Sequence, residues 1–215
     1  LAAIKERYGG YRKVKGDGNC FIRGYLFGVL ESLVKRGGGA EATGLIGRLS
    51  GYYFRMIDGV QGLGYSAGAI EDFHREMENV LKGIADGTMT IDMLETTINE
   101  AMVSNSLVFF CRMVASCHIQ THSQHFAPFL GLEGGEDKVR ASLKEYCAKE
   151  VEPLEKEVEE MEVMALASAF DVGLRIEHMD ASAGPVNHHD LPHGASPHVF
   201  MLYRPGHYDL IYPPQ

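Results

Sequence analysis

Cys20 is preceded by the tetrapeptide Gly16-Asp17-Gly18-Asn19, and far along the chain His207 and Asp209 lie two residues apart. A cysteine attacks as its thiolate, so a catalytic cysteine needs a setting that favours negative charge. The apolar residues after Cys20 are Phe21, Tyr25, Leu26, Val29, Leu30, Leu33 and Val34. Their three- and four-residue spacing predicts an amphipathic helix ending at Gly37–Gly39, with Cys20 on its first turn. Unpaired N–H groups and the helix dipole at that end are expected to lower the thiol pKa. The glycines flanking Asp17 let the loop bend and expose N–H groups that could hold an oxyanion. His207 and Asp209 suit a single strand, where side chains two apart share a face at roughly 6.5 Å. One imidazole nitrogen could then take a carboxylate while the other faces the thiol, the arrangement a thiol nucleophile needs for its base. Each feature also has an ordinary structural explanation. A cysteine on a helix is more often a core residue, and G-D-G-N can be a turn in which Asp17 or Asn19 caps the helix.

The elements around these residues follow from period. Residues 8–14 read as a short extended segment. Further helices are predicted over 41–58, 70–83, 90–99, 104–118 and Glu136–Tyr146. An acidic helix or loop runs from Glu150 to Glu162, broken near Pro153, and Met161–Phe170 is a small-residue apolar helix suited to packing on a sheet. After it the period changes to two: Val172, Leu174, Ile176 and His178 alternate with their neighbours as a strand. Residues 181–197 read as a loop, Val199–Arg204 and His207–Tyr212 as strands, and Pro205-Gly206 as the turn between them. Helices first and strands last predict an α+β fold, helices packed around a small C-terminal sheet, in one domain spanning residues 1–215.

The 215 residues carry a formal charge of −9. That argues against nucleic acid or an anionic membrane as partner and suits a partner with basic and apolar surface. No apolar run is read as membrane-spanning, because Arg112 interrupts Leu107–Cys117. Cys20, Cys111, Cys117 and Cys147 form no C-x-x-C pair and no disulfide framework, so a reducing compartment, cytoplasmic and also nuclear, is expected. The sequence begins at Leu1, which reads as a fragment or a processed form.

Two histidine groups invite a metal reading. On one helix His118, His122 and His125 would share a face able to hold zinc, and His188, His189 and His193 could bind metal or respond to pH. No second half with firm ligand spacing accompanies the first, so a packing or surface role is preferred; the second leads directly into the strand pair carrying His207 and is read as a solvated loop near the site. The run Glu150–Glu162 is read as a solvated face, with contact to a basic partner as the sharper alternative.

G-D-G-N-C-F at Gly16–Phe21, followed by Arg23, resembles the nucleophile motif of the ovarian-tumour-domain cysteine proteases. R-P-G-H-Y-D at Arg204–Asp209, followed by Leu210-Ile211-Tyr212, resembles their histidine motif. K-E-V-E-P at Lys149–Pro153, the segment Ala165–Asp180 and I-E-D-F-H at Ile70–His74 are similar to the otubain branch in particular. The sequence departs from that pattern at Ile22 and Gly24 and in the glycine-rich stretch Gly59–Gly68. The resemblance implies a papain-like fold and a deubiquitinase cleaving isopeptide bonds after the terminal Gly-Gly of ubiquitin. It implies Cys20 as nucleophile, His207 as base, Asp209 as the residue orienting it, and Asp17 as donor of a backbone N–H to the oxyanion hole. It calls for no metal or organic cofactor. Ubiquitin or polyubiquitin is the implied partner, with ubiquitin-like modifiers and ubiquitin-conjugating enzymes as further ones. The alternative is a non-catalytic regulator that binds ubiquitin or a ubiquitin-conjugating enzyme.

Overall fold

The computed structural model describes residues 2–58, 65–179 and 187–214. Two helices form its centre. α2 (Cys20–Arg36) begins at the candidate nucleophile and ends where Gly37 takes a left-handed conformation, its N–H bonded to Leu33 and Val34 carbonyls. α6 (Ala101–Thr121) is the other, and both are buried on most sides. By length and composition α6 could cross a membrane, but it is the core helix of the fold, with Arg112 wholly inside. The other helices surround this pair: α3 (Gly39–Asp58), α4 (Ala67–Ala85), α5 (Ile91–Asn99), the short α7 (Ser123–Phe126), α8 (Glu136–Tyr146) and α9 (Glu160–Phe170). Ser66 and Thr90 start α4 and α5 by accepting the N–H groups of Ala69 and Met93. The predicted helices are thus present, each within a few residues of its expected ends, and Glu136–Tyr146 to the residue.

The sheet has the order β1-β5-β4-β2-β3. Its strands are β1 (Gly10–Arg12), β2 (Leu174–His178), β3 (Asn187–Leu191), β4 (Val199–Arg204) and β5 (His207–Tyr212). β2 and β4 run parallel, and the remaining neighbours are antiparallel. The extended segment near residue 10 therefore joins the C-terminal strands as an edge. Period-2 alternation gives the sheet two apolar faces. Val199, Met201 and Leu210 face α2, while Leu202 and Ile211 meet Ile4 of the N-terminal helix α1 (Ala2–Arg7) on the other side. Buried Glu177 fastens that helix, accepting both Arg7 Nη atoms at 3.0–3.1 Å and the Tyr8 hydroxyl at 2.6 Å.

Glycine lets α2 approach the sheet closely. A Cβ on Gly28 would lie 2.6 Å from Val199 Cγ1, and one on Gly24 would lie 2.6 Å from Met201 Cε. The departure at Gly24 is therefore a packing adjustment to Met201.

Three expectations are corrected. Residues 187–191, read as loop, form edge strand β3, held by pairing with β2 and by a two-bond Arg175–Asp190 contact at 2.7 Å. Their side chains are largely exposed, so no alternation of apolar residues marked them. α9 packs chiefly against α6 and less against the sheet. The acidic run is not simply a solvated face. Glu152 and Glu162 are buried, bonded by Ser116 and Tyr146 at 2.8 Å each. The glycine-rich stretch falls mostly outside the described residues.

Candidate active site

The loop before Cys20 is built around a buried arginine. Arg112 of α6 donates through Nε and Nη2 to Asn19 Oδ1 at 3.1 and 2.8 Å. It also donates to the carbonyls of Gly18, Val151 and Lys156. The N–H of Glu155 reaches the same Asn19 oxygen at 3.2 Å. Asn19 therefore does not cap α2 with its side chain; the group is spent tying the loop to residues 151–156. Gly18 must be glycine for two reasons. Its φ is +75°, and a Cβ there would lie 2.2 Å from the Glu155 carbonyl oxygen. Asp17 accepts the Asn19 N–H at 3.2 Å and pairs with Arg23 at 2.9 Å. Burial pushes its carboxyl pKa up, but Arg23, the Asn19 N–H and Lys15 outweigh this and hold it below the usual range.

Cys20 then begins α2 as expected, and it is distinct among the four thiols. Cys111, Cys117 and Cys147 are fully enclosed, and burial raises the latter two to about 11 and about 12. Cys20 lines a cleft of about 400 Å³. Its own N–H and those of Phe21 and Tyr208 favour the thiolate. Desolvation nevertheless dominates, aided by the nearby Asp17 charge, and the thiol pKa lies above its ordinary value. The expected lowering is thus reversed in the resting site: removal from water outweighs the helix terminus, so the thiol rests protonated.

Tyr208 is the link to the other half of the site, since it follows His207 on β5. The β-turn at Pro205-Gly206, with Gly206 at φ +75°, places His207 at the start of that strand. His207 Nε2 meets Asp209 Oδ1 at 2.9 Å, as the i, i+2 spacing predicts. Nδ1 faces the nucleophile loop: a Cβ on Gly16 would lie 3.5 Å from it. Among the described residues no hydrogen bond joins the Cys20 thiol to the His207 ring. Proton transfer between them therefore requires a rotation of one or the other.

Asp209 is completely buried and fully used. Oδ1 also accepts the Val14 N–H at 2.9 Å, and Oδ2 accepts the Tyr11 hydroxyl at 2.7 Å and pairs with Arg204. Burial pushes its pKa up, while the Val14 N–H, the Tyr11 hydroxyl and His207 pull it further down, leaving an ionised carboxylate. Sequence reasoning missed Arg112, Tyr11 and Val14. The R-P-G-H-Y-D motif contained Arg204 but gave it no role.

The cleft beside Cys20 has an acidic rim of Glu157, Glu159 and Glu160, and its far wall carries His178, His189 and Tyr203. The ring centroids of His178 and His189 are 4.6 Å apart. The other histidine group does not share a helical face, because α6 stops at Thr121 and His125 belongs to α7. His118 is instead a core group, bonded to the Tyr52 hydroxyl at 2.6 Å and stacked on His122.

A thiol at a helix start, a histidine–carboxylate pair on an adjoining strand and an open cleft define a cysteine peptidase of α+β fold. The family pattern of the otubains, peptidase C65, matches residues 1–213. Ubiquitin thioesterase OTUB1 of human, mouse and rat is 33% identical over 210 residues, covering 97% of this chain and 72% of that protein. An Arabidopsis thaliana deubiquitinating enzyme named for its ovarian tumour domain is 31% identical, covering 99% of this chain and 72% of that protein. A complex of ceOTUB1 with ubiquitin aldehyde and UBC13~Ub contains a chain that superposes with a TM-score of 0.86 at 30% identity. That match covers 100% of this chain and 83% of the other. The chain belongs to the otubain family of cysteine-type deubiquitinases.

Proposed function

We propose that Cys20 is the nucleophile with which this otubain hydrolyses the bond after the terminal glycine of ubiquitin, His207 its general base and Asp209 the group that orients that base. The observation that carries the reading is the position of Cys20. It is the thiol that lines the open cleft, and the N–H of Tyr208, on the strand bearing His207, is among the groups that favour its thiolate. In the proposed reaction His207 takes the thiol proton through Nδ1, and the thiolate adds to the glycine carbonyl. Backbone N–H groups of Asp17 and Cys20 hold the oxyanion. His207 returns the proton to the departing lysine amine, leaving a thioester that water then hydrolyses. The rim of Glu157, Glu159 and Glu160 suits a basic peptide entering the cleft. Because the nucleophile must remain a free thiol, we place the enzyme in a reducing, cytoplasmic setting.

The test is reaction with ubiquitin bearing a C-terminal thiol-reactive group, read by intact mass. One adduct is expected, lost in Cys20→Ala and kept when Cys111, Cys117 and Cys147 are replaced. Adduct formation by Cys20→Ala would overturn the assignment of the nucleophile.

A second activity is favoured by the solved relatives, which are complexes holding UBC13~Ub or UBCH5B~Ub as well as ubiquitin aldehyde. We propose that this chain also binds ubiquitin-conjugating enzymes. Inhibition of chain assembly that survives Cys20→Ser is the expected result, and its disappearance would leave hydrolysis as the whole function.

A further inference from the structure

Asp209 presents two oxygens to two different audiences. Oδ1 takes His207 and the Val14 N–H, whereas Oδ2 takes the Tyr11 hydroxyl of β1 and the Arg204 guanidinium of β4. Tyr11 and Arg204 never meet the thiol. They line a hollow on the sheet face covered by α1, away from the Cys20 cleft. Tyr11 is 55% exposed, and the Arg204 side chain is 40% exposed, although its Nε is buried without a partner among the described residues. An arginine that turned fully to water could satisfy all its donors, so this one is held by its attraction to Asp209.

The consequence for His207 is electrostatic. A lone buried carboxylate 2.9 Å from Nε2 would stabilise the imidazolium strongly. A ring held protonated cannot accept a proton from a thiol whose own pKa is raised. A guanidinium on the opposite carboxylate edge offsets that charge while fixing the carboxylate plane. We propose that Arg204 and Tyr11 are positioning residues that aim Asp209 at His207, the Arg204 charge offsetting that of the carboxylate beside the ring.

The other charged groups near the ring do not supply this balance. The Gly16–Asp17 loop lies over Nδ1, but Asp17 is already paired with Arg23 and Lys15. Glu157, from the segment before α9, reaches Gly206 with its Oε1 3.5 Å from where a Cβ would stand. It adds negative charge rather than removing it. Cys20 on α2 is neutral at rest.

The inference rests on His207 being the base, and its test is chosen to stand apart from that reading. In a Cys20→Ser background, which needs no turnover, the His207 ring is titrated by NMR with and without Arg204→Met. Removal of the charge is expected to raise the His207 pKa by about one unit. With Cys20 present, Arg204→Met is expected to lower kcat about tenfold at constant KM and to move the acid limb of the pH profile upward by the same amount. Arg204→Lys keeps the charge and should leave the acid limb in place while recovering part of kcat. Tyr11→Phe removes one neutral donor at a half-exposed side chain and should lower kcat about threefold. An unmoved His207 titration in Arg204→Met, or equal losses in the Met and Lys variants with no change in pH profile, would overturn the proposal. If Arg204→Met does not fold, Arg204→Lys and Tyr11→Phe decide it: a kcat unchanged in both overturns it. Absence of turnover in the unmodified enzyme would instead sink the reading of the site.

Discussion

The two halves of the site are held by different means. On the nucleophile side, a buried arginine from α6 gathers Asn19 and the Gly18, Val151 and Lys156 carbonyls into one lattice beneath Cys20. Most of its donors are satisfied internally, far from water. On the base side, a tight turn and strand spacing set His207 beside Asp209, and the supporting groups Tyr11 and Arg204 remain half open to solvent. The first half is a tertiary lattice and resists local change. The second is local geometry trimmed by electrostatics, and its chemistry can be altered without unfolding the chain.

The largest expected effect falls on the lattice. Arg112→Met leaves three carbonyls without this donor and Asn19 Oδ1 with the Glu155 N–H alone, and is expected to cost about 3–5 kcal/mol with loss of activity. Urea denaturation checks it; a loss under 1 kcal/mol would erase the contrast between the two halves. Asp209→Asn acts on the other half. It is expected to reduce kcat/KM at least 100-fold, about 3 kcal/mol in the barrier, while the fold survives in near-ultraviolet circular dichroism. Global unfolding by this variant would mean that the base side is as structural as the nucleophile side.

A third test uses pH at a histidine that belongs to neither half. Burial, then the neighbouring His122, His125 and Arg55 charges, depress His118 to about 4. In the unfolded chain the ring titrates near its ordinary value of 6.5. As pH falls below that value the unfolded state takes a proton that the folded state refuses, so stability is lost between about 6.5 and about 4. The loss should be on the order of 2 kcal/mol after discounting for partial solvent access, and His118→Gln should flatten it. The smallest effect sharpens the account of how α2 meets the sheet. Gly28→Ala pushes a methyl at the rigid, β-branched Val199 and should cost about 1–2 kcal/mol. Gly24→Ala meets the flexible end of Met201 and should cost less than about 1 kcal/mol. Thermal melts of the pair compare them directly, and equal costs would refute the flexibility argument.

Much of this molecule was legible in its residues. The apolar spacing after Cys20 marked α2, the glycines ended it, and the period-2 run His207–Tyr212 placed a histidine and an aspartate on one strand face. These signals are local, because helix and strand periods depend on a few neighbouring residues. β3 escaped notice because its side chains are exposed, so pairing with β2 rather than patterning makes it a strand. The thiol environment also escaped, since desolvation depends on what packs over Cys20, not on its place at a helix start.

Arg112 shows the boundary most sharply. In the sequence it is a charge interrupting an apolar run; in the structure it is the buried tie of the nucleophile loop. By itself the sequence determined the helices and the strands other than β3, the candidate nucleophile, base and orienting carboxylate, and the family. Only the tertiary structure decided which thiol opens to a cleft, that four donors share Asp209, and how Arg112 joins segments 93 and 39 residues away. The reason is physical: a buried polar group is tolerable only with partners, and those partners come from whatever chain the fold brings within reach.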